Sequence, residues 1–344
     1  MNRLPYPTSP GASRWARVRE SAFTIIELLV VVSIIALLIG LLVPSLQGAR
    51  DQAKNVKTRA MLNAISTGLE MFKNDNEKEF RASNGYPPSA RAMDKNAPAQ
   101  PMITPLRSMY GAHWLVRHLM GMDLQGFVPK RNVPPTLLNS GPLWYDADVL
   151  NGGPIDRAGP YLDPDAVEVV STNELPGQPD TSARPMDPNM RQQVILDVFG
   201  FPVLYYVANP FGRVIASSVQ DDDPRGVYVQ EDNYGFTGSQ QYPGGVATAL
   251  AESPGWVFTR KDHLLGKFGN PAANNIDSAV NIGSFCHYIV DRKVLDQTNR
   301  TGNELDENRT VRAMRSDSYL LITAGKDGAY GTLDDISNVD QLRQ

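Results

Sequence analysis

An apolar run near the amino terminus constrains this chain more than any other feature of its sequence. Residues 23–43 contain only three side chains more polar than glycine, namely Thr24, Glu27 and Ser33. As a helix with a rise of about 1.5 Å per residue, the run would extend roughly 31 Å, close to the thickness of a bilayer core. The sequence therefore predicts a membrane-spanning helix with a glutamate near its start, where a carboxylate is costly.

Basic residues before the run indicate its orientation. Arg3, Arg14, Arg17 and Arg19 precede it, against the single acidic residue Glu20. Because positive flanks stay in the cytoplasm, we expect a cytoplasmic amino terminus and an exported carboxyl-terminal part. Two simpler interpretations remain open. A secretory signal peptide would have a shorter apolar stretch, and an ordinary single-pass anchor has no use for the glutamate.

The start of the run carries a family resemblance. Residues 22–30, AFTIIELLV, resemble the amino terminus of type IV pilins and pseudopilins. The resemblance implies that a prepilin peptidase cuts before Phe23 and methylates the new terminus, with Ala22 standing where the family usually has glycine. It also implies that the charge of Glu27 is compensated in a filament by the amino terminus of a neighbouring copy. Pro44 falls where many family members have a proline.

The resemblance implies the cut after residue 22 and the assembly role of the first helix, and together with composition it divides the chain into five consecutive segments. They are a cleaved cytoplasmic leader (1–22), a transmembrane and assembly helix (23–43), an amphipathic helix continuing into a globular domain (44–84), an insertion rich in proline and glycine (85–190) and a β-rich domain (191–344). Apolar or small residues at three- and four-residue steps predict the amphipathic helix. They are Leu46, Ala49, Ala53, Val56, Ala60, Leu62, Ile65, Leu69 and Phe72. We expect the insertion to be irregular and to lie at the surface.

Short runs of β-branched and aromatic residues predict strands in the second half of the chain. They are residues 193–196, 202–208, 214–219, 226–230, 256–259, 285–290 and 319–323. Strands after one long helix favour an α+β fold with an antiparallel sheet. The resemblance implies that this fold is pilin-like, with the long helix packed on the small sheet. Residues 197–205, DVFGFPVLY, also resemble the Asp-Pro-Trp-Gly-x-Pro-x-x-Tyr element of major pseudopilins, with Val198 and Phe199 as departures.

Three aspartates near the carboxyl end predict a calcium loop. Asp327, Asp334 and Asp335 follow the last predicted strand, among glycines that permit tight turns. Calcium takes about six to eight hard oxygen ligands, which carboxylates and loop carbonyls can supply. The order of residues excludes an EF-hand. The loop resembles the calcium-binding loop of major pseudopilins, and the alternative is an ordinary solvated acidic turn.

Charge and cysteine content narrow the possible functions. The chain has 33 Lys and Arg against 37 Asp and Glu, a formal charge of −4. Without the four arginines and one glutamate of the leader, the balance is 29 against 36, or −7. This acidic balance argues against nucleic acid as a general partner. The single cysteine, Cys286, excludes an intrachain disulfide.

No enzyme site is indicated by the sequence. The histidines lack zinc-ligand spacing, and no serine elbow or nucleotide-binding fingerprint is present. The resemblance implies instead a structural subunit of a pilus-like filament, most like a type II secretion pseudopilin that supports protein secretion. Its expected partners are a prepilin peptidase, other copies and other pseudopilins, an inner-membrane assembly platform and membrane lipid. Its expected location is the bacterial inner membrane, with the carboxyl-terminal domain in the periplasm.

A second function class remains open at this point. The chain could be a membrane-anchored binding module or enzyme whose activity lies in the insertion, where Trp114, Trp144, Tyr145 and Tyr161 are scattered among short apolar pieces. An intact leader would favour this class, whereas an N-methylated phenylalanine at the amino terminus would favour the filament subunit.

Overall fold

The computed structural model describes most of the long helix and the core of the following domain. The described residues are 24–89, 110–121, 123–128, 156–175, 193–212, 214–217, 226–237, 263–266, 284–291 and 312–339. The predicted leader, including Ala22, the start residue Phe23 and the predicted strand 256–259 lie outside them. The chain forms two units, Met1–Arg50 and Asp51–Gln344, which are treated separately below.

A single helix, α1, extends from Ile25 to Asn76. Its buried apolar side chains are Leu62, Ile65, Leu69 and Phe72. These confirm the second half of the predicted stripe. The first half of the stripe is helical but not covered in a single chain, since Leu46 and Val56 are 48% and 62% exposed and the buried face begins at Thr58. Residue spacing determines which side chains share a helix face but not whether another element covers that face.

Seven strands are present in the described residues. They are β1 (Glu168–Ser171), β2 (Gln193–Leu196), β3 (Leu204–Val207), β4 (Val214–Ser217), β5 (Gly226–Val229), β6 (Tyr319–Thr323) and β7 (Ile336–Ser337). Strand β1 pairs with β2, β3 with β6, and β6 with β7, and all three pairs are antiparallel. Strands β3, β6 and β7 form one sheet in the order β3-β6-β7. The pair β4-β5 is parallel, which the sequence did not predict. The α+β, pilin-like fold is otherwise confirmed.

Three shorter α-helices accompany these strands in the described residues. They are α2 (Gly111–Leu119), α3 (Tyr234–Thr237) and α4 (Phe285–Ile289). The last replaces a predicted strand, so the prediction for residues 285–290 is wrong. A short apolar run has no periodicity that separates a buried strand from a buried helical turn. Here Val290 alone keeps a strand-like contact, as an isolated bridge to Ala313.

The central sheet is buried on both faces. In β6 all five residues are buried, and alternate side chains point to two different apolar clusters. Leu321 packs in the cluster that contains Phe72 of α1, whereas Ile322 packs with Phe285 of α4. Because side chains alternate across a strand, the sheet separates two apolar clusters, one that includes the long helix α1 and one that includes α4.

Described parts of the predicted insertion belong to this core. Helix α2 packs against β2 and β3, and Leu115 is fully buried. The ring of Phe72 lies 5.5 Å from that of Phe127 and 5.4 Å from that of Tyr161, centroid to centroid. The expectation of an irregular surface segment is therefore wrong for residues 110–128 and 156–175 where they are described.

The outer edge of β3 is capped mainly by side chains. The Val207 amide donates to Ser89 Oγ at 3.0 Å, and Asn233 Nδ2 donates to the Tyr205 carbonyl at 2.7 Å. Ser89 donates in turn to the buried carboxylate of Asp232. Polar side chains thus satisfy backbone groups that a further strand would otherwise bond.

Candidate assembly helix and carboxyl-terminal loop

The first turn of α1 holds Glu27 in a reciprocal capping box with Thr24. The Thr24 amide and hydroxyl both donate to Glu27 Oε2 at 2.9 Å, and the Glu27 amide donates to Thr24 Oγ1 at 3.2 Å. Such a box satisfies amides that a helix start otherwise leaves unpaired. The carboxylate therefore has partners within its own chain, in addition to any that a neighbouring copy supplies.

The apolar part of α1 is exposed along its whole length. Every residue from Ile25 to Val43 is exposed, and Pro44 lies inside the helix. By length and composition, α1 is the one helix in the described residues that could cross a membrane. An apolar surface of this extent is characteristic of a segment covered by lipid or by other protein.

Glycines shape the loop between β6 and β7. Gly325, Gly328 and Gly331 have φ values of 64°, 72° and 98°, in the region that other residues rarely adopt. A Cβ atom on Gly328 would overlap the Phe201 ring, and one on Gly325 would overlap the Asp334 backbone. The backbone of this loop therefore requires glycine at these positions, as the sequence predicts.

Asp334 is the centre of this loop. Its Oδ2 atom accepts hydrogen bonds from the amides of Lys326 at 2.8 Å and Asp327 at 2.9 Å, and its Oδ1 atom accepts one from Thr332 Oγ1 at 2.6 Å. Asp327 closes a small turn of its own by accepting from the Ala329 amide at 2.7 Å. These bonds bring the Asp327 and Asp334 side chains close together at the loop surface.

Asp335 faces the interior instead. Its Oδ2 atom accepts from the Gly331 amide at 2.8 Å, and the residue is 6% exposed. Burial raises the pKa of Asp335 to about 7, although hydrogen bonds from Gly331, Tyr288 and Thr332 oppose this shift. The side chain therefore stabilises the loop from beneath, on a different side from the surface pair.

The surface pair has opposite pKa shifts. Partial burial raises the pKa of Asp327, and the nearby Asp334 carboxylate adds to that effect. Burial alone would also raise the pKa of Asp334, but hydrogen bonds from Thr332, Asp327 and Lys326 outweigh it and lower this pKa. Two carboxylates in such proximity create a local demand for positive charge.

A metal site is not assembled from three acidic side chains in this loop. Among the described residues, no three His, Cys, Asp or Glu side chains are arranged to hold an ion. Asp327 and Asp334 offer hard oxygen atoms side by side, so the loop fits calcium in part. The predicted three-carboxylate site therefore remains a prediction.

Two contacts connect this loop to other elements of the same unit. Lys326 Nζ lies 2.6 Å from Asp51 Oδ2 in α1. The Tyr330 hydroxyl donates to the Pro202 carbonyl at 2.7 Å, just before β3. The loop, the helix and the turn before β3 consequently meet at one corner of the domain.

The turn before β3 is organised by Asp197. Its Oδ1 atom accepts from the amides of Phe199 at 2.8 Å and Phe201 at 2.9 Å, while Gly200 adopts a φ of 90°. Asp197 is 1% exposed, and burial raises its pKa to about 6 despite these hydrogen bonds. The segment that resembles a pseudopilin element is thus a closed turn that leads into the central strand.

The chain is similar to secretion and pilus proteins. It is 28% identical to type II secretion system core protein G of Escherichia coli over 142 residues, which cover 39% of this chain and 92% of that protein. It is 42% identical to core protein G of Pseudomonas aeruginosa over 60 residues, 17% of this chain and 42% of the relative. This chain is thus similar to type II secretion core proteins. The predicted resemblance is confirmed.

A pilus protein is also similar to this chain. The type IV wide pilus major component of Thermus thermophilus is 44% identical over 54 residues, which cover 16% of this chain and 41% of that protein. No family model matches the chain, and no solved structure matches it. The relatives are named as a secretion core protein and a pilus component, not as enzymes.

Several residues have structural roles that the sequence analysis did not assign. Asp197 closes the turn before β3, Thr332 donates to Asp334, and Lys326 pairs with Asp51. In the sequence, only the place of Thr332 between the loop aspartates could have indicated its role. His113 and Cys286 are buried in the core. Desolvation lowers the pKa of His113 to about 3 and raises that of Cys286 to about 12, as expected for structural side chains.

Proposed function

We propose that this chain is a structural subunit of a pilus-like filament, most similar to a type II secretion pseudopilin. The observation that carries the proposal is the exposed apolar helix near the amino terminus. The chain also aligns with 92% of the length of the E. coli core protein G. An apolar surface of this size must be shielded from water by lipid or by other protein. Lipid would cover it before assembly, and the helices of other copies would cover it in the filament.

Processing by a prepilin peptidase is the first step of the proposed pathway. Cleavage between Ala22 and Phe23 would place a new amine next to the capping box of Thr24 and Glu27. The chain would then wait in the inner membrane with its larger unit in the periplasm, until an assembly platform adds it to a filament with other pseudopilins. The charge of Glu27 would favour docking beside the amine of a neighbouring copy.

Mass spectrometry of the amino terminus tests the processing step. An N-methylated phenylalanine at position 23 is expected, whereas an intact leader would contradict the proposal. Assembly is tested with two variants of Glu27. Glu27→Ala removes both the charge and the acceptor for Thr24, while Glu27→Gln keeps an acceptor oxygen. If pairing with a neighbour requires the charge, both variants are inserted and cleaved but yield few filaments. Wild-type yield from Glu27→Gln would limit the carboxylate to a local capping role.

Calcium is proposed to bind the loop between β6 and β7. Asp327 and Asp334 would hold the ion at the surface, and carbonyl oxygens of the loop would complete its shell. Asp335, the third residue of the sequence prediction, faces the interior and accepts from the Gly331 amide. The close pair of carboxylates supports the proposal, because a divalent cation would remove their repulsion. When bound, the ion would supply charge neutralisation and a rigid end to the central sheet.

Thermal unfolding of a fragment from Asp51 to Gln344 tests calcium binding. A ligand that binds only the folded state at 100 times its dissociation constant adds about 2.7 kcal/mol of stability. The double variant Asp327→Ala with Asp334→Ala should lose this increment. Magnesium is the matched control, because it demands a smaller octahedral shell and releases water reluctantly. An unchanged melting temperature in calcium would make the loop an ordinary acidic turn.

The alternative of a membrane-anchored binding module or enzyme gains no support from the relatives. The described parts of residues 85–190 contribute α2 and the rings around Phe72 to the core. Activity of a truncated, filament-free chain on a small-molecule substrate would be needed to favour this alternative.

A further inference from the structure

The first turns of α1 in the larger unit contact the domain through lysine side chains. Residues 51–57 contain no buried side chain. The Lys326 ammonium lies 2.6 Å from Asp51 Oδ2. The Lys54 ammonium lies 5.1 Å from the ring centroid of Phe199, in the turn before β3. Charged contacts therefore join the domain to a part of the helix that packing does not bury.

Lys326 contacts acidic residues through both its backbone and its side chain. Its amide donates to Asp334 Oδ2 at 2.8 Å, and the same oxygen accepts from the Asp327 amide at 2.9 Å. Its ammonium donates to Asp51 Oδ2 at 2.6 Å. The hydrogen bond and the charge of Asp51 raise the pKa of Lys326, and the charge of Asp334 adds to this shift. The ammonium therefore lies in the electrostatic field of one acidic residue in α1 and of another in the loop.

The side chain of Lys326 can reach either acidic group. Its ammonium is a compact charge on a flexible stem, and the side chain is 67% exposed, so packing does not fix it. The Asp334 carboxylate is bonded to the amide of Lys326 itself and is therefore within reach of the ammonium. Asp334 lies beside Asp327, and the two carboxylates together attract a positive charge. A divalent cation on this pair would remove the attraction and leave Asp51 as the acidic partner of the ammonium.

We propose that Lys326 is a counter-ion shared between Asp51 and the carboxylate pair, so that a divalent cation in the loop strengthens the attachment of the first turns of α1. This inference rests on the proposed calcium binding. With the cation bound, the ammonium stays on Asp51; without it, the ammonium divides its time between α1 and the loop. Because coupling between two sites is reciprocal, Asp51 also keeps Lys326 from competing with the cation.

Calcium titration of the full-length chain in detergent micelles tests the reciprocal effect. Asp51→Asn should weaken calcium binding by up to about fivefold, because it releases the ammonium towards the carboxylate pair. In a chain that already carries Lys326→Met, the same Asp51→Asn change should have almost no effect. An equal loss in both backgrounds would show that Asp51 acts through its own charge alone and would overturn the inference.

Lys78→Met is the matched control for the lysine variant. Lys78 is also exposed and follows the far end of α1, which lies roughly 38 Å along the helix axis from Asp51. Lys78→Met makes the same charge change as Lys326→Met at a distance where screening is strong. In the Lys78→Met background, Asp51→Asn should therefore weaken calcium binding as much as it does in the wild type.

Hydrogen exchange measures the attachment of the helix directly. In the full-length chain, calcium should slow amide exchange both in the loop and in a peptide that covers residues 51–57. In Lys326→Met the loop should still respond, whereas residues 51–57 should exchange at the same rate with and without calcium. If the wild-type loop responds but residues 51–57 do not, this inference alone is overturned. If calcium changes neither segment of the wild type, the proposed calcium binding is overturned, and this inference with it.

Discussion

The buried carboxylate of Asp197 should make the domain more stable in acid. Its pKa is about 6 in the folded state and 3.8 without the fold. The folded state therefore binds the proton more tightly, and the ionised side chain lowers stability at neutral pH. The difference of about two pKa units corresponds to a destabilisation of about 3 kcal/mol by the ionised side chain. This destabilisation is fully present above the folded-state pKa and disappears as the pH falls towards 3.8.

Substitution of Asp197 by asparagine isolates this effect. Asparagine keeps an oxygen for the amides of Phe199 and Phe201 but carries no charge. The stability of Asp197→Asn relative to the wild type should therefore increase by roughly 2.5 kcal/mol between about pH 4 and about pH 8. Any cost of the new amide group that does not depend on pH cancels when the two pH values are compared. The free energy of unfolding is measured with urea on the Asp51–Gln344 fragment, with a chelator present to remove metal ions.

Asp197→Ala is the control, because it removes the charge and the hydrogen-bond acceptor together. It should share the pH dependence of Asp197→Asn but be less stable at every pH, by about 1–3 kcal/mol for amides left unpaired. A stability difference between Asp197→Asn and the wild type that stays flat from about pH 4 to about pH 8 would refute the reasoning, because burial would then not penalise the charge.

Three further predictions concern processing, the helix start and the core. Ala22→Gly should speed leader removal and Ala22→Leu should block it, as seen by the mass of the product; equal cleavage would place the mature start elsewhere. Thr24→Val opens the capping box, so lower filament yield with normal insertion is expected, while Thr24→Ser should match the wild type; equal yield from both would exclude a role for the hydroxyl. Phe72→Ala should cost about 3–5 kcal/mol in urea unfolding because its ring is fully buried, whereas exposed Met71→Ala should change stability by less than about 0.5 kcal/mol. Similar stability of these last two variants would contradict the packing argument.

Local chemistry allowed the sequence to predict much of this fold. The steps from Leu62 to Phe72 repeat at helical spacing and are buried, and the runs at β3 and β6 are strands. The glycines near Asp334 adopt the conformations that only glycine tolerates readily. These features depend on a few neighbouring residues, so they can be read without knowledge of the packing.

Tertiary contacts decided the features that the sequence did not predict. Helix α2 lies in a segment rich in proline and glycine that was expected at the surface, but it is buried because it packs against β2 and β3. The run at residues 285–290 is helical against its strand-like composition. Asp335 was grouped with Asp327 by spacing, yet it faces the interior. In each case long-range contacts outweigh a weak local preference.

The side-chain caps on β3 have a consequence for crowded assemblies. A filament holds its subunits at a very high local concentration, and an open strand edge under those conditions is a template for pairing with the next molecule. Ser89 and Asn233 already bond the outward groups of Val207 and Tyr205. Addition of a foreign strand there would first have to break buried hydrogen bonds. At this edge, the caps thus disfavour strand pairing between neighbouring copies.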